Sequence, residues 1–221
     1  MAARLERVFF RARGRLTALL VFLLLLAVPS AVPASLNETG EREAKVAWLK
    51  GVAANHLWLG IPREIAASTR LRIQPEPSRL VSVGRGIYGR QHRLAPEAAL
   101  AFEIMRQHAR DQGVSLLLVS SYRSVDYQAE LVARRLEEGR DKLRIFHGLA
   151  LPGYSEHHSG CAVDLATDDY RQLGQDFRET AAYAWLRANA RDYGFRESYP
   201  RNNNQGIMPE PWHWYFFACA R

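Results

Sequence analysis

The stretch Gly153 to Asp164, G-Y-S-E-H-H-S-G-C-A-V-D, constrains this chain more than any other. It sets the imidazole of His157 seven residues before the carboxylate of Asp164, with Gly160 between them to let a loop turn into a strand. E-P-W-H-W-Y at Glu210 to Tyr215 answers it near the C-terminus: His213 is placed to close a ligand set, and Glu210 lies three residues earlier. Two imidazoles, one carboxylate ligand and one spare carboxylate suit catalytic zinc. Such a metal commonly takes three protein ligands and leaves a fourth position for water, which a nearby Glu deprotonates. These residues read as a metallohydrolase. His157 and His158 are adjacent and would point apart in extended backbone, so only one of them serves as a ligand.

A chain of 221 residues, 48% of them hydrophobic, has room for one ordinary domain plus appendages. The first residues stand outside that domain. Arg4, Arg7, Arg11, Arg13 and Arg15 precede an apolar run from Leu16 to Val28, followed by P-S-A-V-P-A-S. This is the order of a secretory signal, with Ala34 the last residue before cleavage. The run is short against the roughly 20 residues of a membrane span, yet an uncleaved anchor through residues 16–34 stays open. In both readings the remainder is exported, to a periplasmic or extracellular, cell-wall side. Residues 1–34 hold five Arg and one Glu and so carry +4 of the formal +7 charge. The remainder is only mildly basic and has no basic block after Arg15, which argues against a nucleic-acid partner. Cys161 and Cys219 lack the spacing of a zinc site. If the strand carrying Asp164 pairs antiparallel with that carrying His213, the two thiols fall near each other; a disulfide and two buried free thiols both remain open.

In chain order, Glu41 to Leu59 suits one or two short amphipathic helices with Trp48, Leu49, Val52 and Leu57 on the apolar side, within a helical N-terminal extension over residues 35–74. The Gly-rich G-R-G-I-Y-G before Arg93 reads as loop, and Pro96 opens a core helix running to Gly113 through Ala98, Leu100, Ala101, Ile104, Met105 and Ala109. V-S-L-L-L-V-S-S is a short buried strand, and a helix starts near Val125. Arg123 at that strand's exit has two level readings, a binder of carboxylate or oxyanion and a structural ion-pair partner. The segment Gly139 to Gly153 reads as loop. Ser155 to Gly160 is loop and Cys161 to Leu165 a strand with Ala162 and Asp164 on one face. A helix over 180–194 packs through Ala181, Ala184, Trp185, Ala188 and Tyr193, and Pro211 to Phe216 is the last strand. His56, His108 and His147 are set aside as ligands.

Four separated motifs, S-S-Y-R-S at Ser120, G-Y-S-E-H-H-S-G-C-A-V-D at Gly153, W-L-R-A-N-A-R-D-Y-G-F at Trp185 and E-P-W-H-W-Y at Glu210, resemble in order and spacing the VanY-like D-alanyl-D-alanine carboxypeptidases. These are zinc peptidases sharing a fold with lysostaphin-type enzymes and the hedgehog domain. The resemblance covers roughly Pro75 to Phe217 and implies an α+β catalytic domain over residues 75–221, with a small antiparallel sheet carrying the zinc site and helices flanking it. It implies one Zn2+ per chain held by His157, Asp164 and His213, and Glu210 as general base. Arg123 would stabilise the oxyanion or hold substrate, and Ser155, Gln128 and Tyr154 would lie near the substrate, a peptidoglycan stem peptide. Cys161, Trp214 and Phe216 depart from the family's usual residues, which bears on substrate fit more than on metal binding. D,D-carboxypeptidase, L,D-carboxypeptidase and crosslink-cutting endopeptidase actions are all compatible with these motifs. A non-catalytic metal-binding module is the reading from another class, and the spare Glu210 argues against it.

Overall fold

The computed structural model describes residues 34–220. The signal or anchor expected at residues 1–34 lies outside them save for Ala34, and no helix among the described residues is long and apolar enough to cross a membrane. The chain folds as α+β. Helices α1 (Ala34–Trp58) and α2 (Arg63–Ser68) lead to a hairpin of β1 (Val81–Arg85) and β2 (Gln91–Leu94), then α3 (Pro96–Asp111). Strand β3 (Leu117–Ser120), α4 (Val125–Glu137) and α5 (Lys142–Gly148) precede β4 (Ala162–Ala166), α6 (Ala181–Asn189), β5 (Phe195–Glu197) and β6 (His213–Phe216). The main sheet has the order β3-β4-β6-β5 with every pair antiparallel, and β1 and β2 form a separate two-stranded sheet.

The core lies between α3, α6 and the four-stranded sheet. All five residues of β4 are buried, so both faces of this central strand are covered. Helix α3 begins with Pro96, whose missing N–H costs nothing in a first turn, and buries Ala98, Ala99, Phe102, Met105 and Ala109. Phe102 sets the phase of that stripe. Leu100, two positions away and so about 200° round the helix, is exposed, as is Ile104, against the expectation for both. In α6 the buried residues are Ala182, Trp185 and Leu186, while Ala181, Ala184 and Ala188 face water. The bulky pair fixes the orientation, and the small alanines exert little pull on it. A second cluster of Leu59, Ala129, Val132 and Ile145 fastens the end of α1 to α4 and α5.

Other expectations are corrected or completed. The extension begins with one 25-residue helix rather than one or two short ones, and it packs through Val52 with Leu57 exposed. The Gly-rich loop is the turn of the β1–β2 hairpin. Residues 142–148 form α5 instead of loop, because the Asp141 carboxylate accepts the Arg144 N–H at 3.1 Å and caps the helix. Glu156–Ser159 is a 3-10 turn. Pro211 and Trp212 precede β6 in a turn closed by the His213 N–H on the Glu210 carbonyl at 3.0 Å. Cys161 and Cys219 form a disulfide, with Cα atoms 6.4 Å apart.

Candidate metal centre

Register brings the first two candidate ligands together. Asp164 on β4 faces His213 on β6, and the Leu165 N–H on the Trp212 carbonyl at 3.0 Å and the Phe216 N–H on the Cys161 carbonyl at 2.8 Å mark the hydrogen-bonded pairs on either side. Asp164 and His213 are therefore a non-hydrogen-bonded pair, the kind whose side chains stand closest. Asp164 Oδ1 lies 2.9 Å from His213 Nδ1. His157 enters from the 3-10 turn before β4, which ends at Gly160 with φ +70°. A Cβ there would also meet the Ala95 nitrogen at 2.9 Å, so glycine is required twice over.

Outer partners orient both rings. His157 Nδ1–H donates to the Ser121 carbonyl at 2.6 Å, which turns Nε2 toward Asp164 Oδ2, 3.2 Å away. That buried Nε2 has no aligned hydrogen-bond partner. His213 Nε2 is held by Glu156 Oε2 at 2.9 Å, leaving Nδ1 for the centre. One ligand atom from each of His157, Asp164 and His213 lies within 4.8 Å of the others, and all three residues are buried. An orphaned buried imidazole nitrogen, two rings fixed by outer hydrogen bonds and a carboxylate between them suit a zinc ion. Glu156 was missed in the sequence; its adjacency to His157 was the only signal.

The charges respond accordingly. Burial, then the Arg123 guanidinium, push the His157 imidazole down to about 4. For His213 burial acts downward, but the hydrogen bonds to Asp164 and Glu156 prevail and raise it to about 10. Burial alone would raise Asp164; His157 and His213 hold its carboxyl well below the usual range. Glu210, with Oε2 3.9 Å from His213 Nδ1, is raised by burial to about 7. A carboxylate near neutrality is suited to exchanging protons.

Arg123 follows β3. Its Nη1 donates to Gln128 Oε1 at 3.2 Å and its Nη2 to Asp164 Oδ2 at 3.4 Å, while buried Nε has no partner. Gln128 is fully buried, and its Nε2 donates to the Ala150 carbonyl at 2.7 Å, so it fixes the guanidinium from behind. Ser155, Gln128, Arg123, Tyr199 and Glu210 line a small pocket beside His157 and His213. Tyr154 is placed elsewhere: its ring stacks on His56 at 6.2 Å and lines a different depression, because the backbone turns between it and Ser155. His158 is excluded as a ligand, since Nδ1–H donates to the Arg123 carbonyl at 2.8 Å and Nε2 accepts the Gly153 N–H at 3.0 Å. Among the described residues, His56 and His108 are bonded to the Pro152 carbonyl and the Tyr193 hydroxyl, away from the centre.

The family model for VanY, D-alanyl-D-alanine carboxypeptidase, matches residues 91–219, more than half of the chain. The chain belongs to the VanY carboxypeptidase family. Among its relatives is the D-alanyl-D-alanine carboxypeptidase of Enterococcus faecalis (strain ATCC 700802 / V583), 31% identical over 116 residues, which are 48% of this chain and 41% of that protein. The chain spans less than half the length of several curated relatives it matches. Of the solved structures, that of the LdcB LD-carboxypeptidase, which reveals the molecular basis of peptidoglycan recognition, superposes with a TM-score of 0.58 at 30% identity, covering 64% of this chain and 69% of LdcB. A mutant of the vancomycin-resistance D,D-pentapeptidase VanY, from a VanB-type cassette and in complex with Zn(II), gives 0.51 at 27%, covering 65% and 85%. The His157, Asp164 and His213 cluster thus sits in a family with a zinc-bound member.

Proposed function

We propose that the chain is a zinc-dependent carboxypeptidase that removes the C-terminal D-alanine from peptidoglycan stem peptides. The observation that carries this reading is the convergence of His157, Asp164 and His213 with Glu210 and Arg123 in one buried site. Zinc held by those three residues would supply a Lewis acid that acidifies water and withdraws charge from the scissile carbonyl. Glu210 takes the proton from the attacking water. The guanidinium of Arg123, which lines the pocket, offers a donor to the oxyanion that develops on the carbonyl oxygen. Glu210 then returns the proton to the amine of the departing alanine. Ser155 stands beside the metal site on the substrate's side, while Gln128, fully buried, acts through Arg123 by holding its guanidinium in place.

The domain reading accompanies this proposal: a signal or anchor over 1–34, a helical extension over 35–74 and a catalytic region over 75–221, exported to the cell-wall side. Likeness to the LdcB LD-carboxypeptidase favours a second reading, in which the same site acts on tetrapeptides as an L,D-carboxypeptidase. Mass spectrometry of products from defined tri-, tetra- and pentapeptide muropeptides separates the two. Loss of one alanine from the pentapeptide alone supports D,D-carboxypeptidase action, and loss from the tetrapeptide supports the second reading. Failure to release alanine from any stem peptide overturns both.

A further inference from the structure

A cleft of about 1140 Å³ opens from the metal centre, with Arg123, Asp164, Glu210 and Trp212 at one end. At the other end it reaches the corner between α4 and α5, where Arg135, Gly139, Arg140, Asp141 and Arg144 line it. A single departing alanine cannot fill such a space, so the remote end belongs to the acyl side of the substrate. The charge there is unbalanced. Arg140 is paired with Glu138 at 2.8 Å, and the Asp141 carboxylate caps α5 through the Arg144 N–H. The guanidinium groups of Arg135 and Arg144 have no carboxylate within ion-pairing distance among the described residues, while both line the cleft and both are exposed. Two free planar donor arrays facing one groove suit carboxylate recognition.

Resting on the peptidase reading, we propose that Arg135 and Arg144 form a subsite for a carboxylate-bearing residue on the amino side of the scissile bond. The enzyme thereby prefers acidic stem peptides to neutral ones. Exposed ion pairs are individually weak and screened by salt, so two of them give a preference of about fivefold that fades at high ionic strength.

The test uses labelled peptides ending in D-Ala-D-Ala with Glu or Gln at either of the two preceding positions. Both Kd, by fluorescence anisotropy, and kcat/KM for alanine release are measured on the zinc-loaded protein. The expected result is about fivefold tighter binding and a matching kcat/KM advantage for Glu over Gln at one of those positions. In the Arg135→Gln/Arg144→Gln double variant the ratio falls to about one, whereas Arg110→Gln, outside the cleft, leaves it unchanged. Equal affinities for the Glu and Gln peptides in the parent protein, or a ratio that survives the double variant, overturn the subsite. Charge-dependent binding without any alanine release would instead overturn the peptidase reading and leave the subsite standing.

Discussion

His213 carries a proton that a metal must displace. Its imidazole, raised to about 10 by Asp164 and Glu156, is cationic at neutral pH in the metal-free protein, whereas a metal ligand must be neutral. Apparent zinc affinity should therefore rise about tenfold per pH unit between pH 7 and 9. Calorimetric titrations in buffers of different ionisation enthalpy would report the released proton, and a pH-independent affinity would contradict this assignment. In the metal-free protein the same upward shift stabilises the fold fully below 6.5 and is lost as pH rises toward about 10. Glu156 acts on the same ring. Glu156→Gln should weaken zinc binding about 10- to 100-fold, the usual effect of removing an outer-shell partner, as read by competition with a chromogenic chelator. The clustering of His157, Asp164 and His213 with Glu210 beside them was legible from spacing and residue type. Glu156 was not, because a carboxylate beside a ligand histidine looks the same whether it faces water or a neighbouring strand. Tyr154 lies against His56, outside the pocket beside the metal centre, for a related reason: position next to a motif does not fix the side on which a ring emerges.

At the scale of elements, the β1–β2 hairpin buttresses the site from behind. His92 on β2 bonds through Nδ1 to Ser121 Oγ at 2.9 Å, and the Ser121 carbonyl in turn orients His157. Gly86, in the hairpin turn, leaves room for this: a Cβ there would fall 2.3 Å from His92 Nε2 and 2.4 Å from the Leu118 carbonyl oxygen. Gly86→Ala should cost about 1–3 kcal/mol of stability by overpacking. Urea denaturation would measure that loss, and an unchanged midpoint would refute the buttress. The strands and long helices carrying the site were readable because apolar periodicity and proline placement specify them locally. The hairpin and α5 were not, since glycines and charges dominate their sequences and tertiary contacts decide their form. The phase of α6 was misjudged because alanine suits either face of a helix.

For the whole molecule, the disulfide ties the start of the metal-bearing strand to the C-terminal segment across 58 residues. Closing a loop of that length should stabilise the fold by about 4 kcal/mol. The Cys161→Ser/Cys219→Ser variant should unfold at correspondingly lower denaturant, whereas an unchanged midpoint would mean that the closed loop gives the fold no net stability. The sequence left this bond undecided, since pairing depends on a register that two cysteines alone do not specify; the register sets Cys161 opposite Phe216, and the turn Phe217–Ala220 brings Cys219 back to it. The central claim is that one metal-dependent site with Glu210 as base performs the hydrolysis, and D-alanine release from a defined pentapeptide tests it most directly. Release should vanish on chelation and return with zinc. In Glu210→Gln it should fall about 10²- to 10⁴-fold with zinc still bound. Release that survives complete metal removal, or full turnover by zinc-loaded Glu210→Gln, would contradict the account.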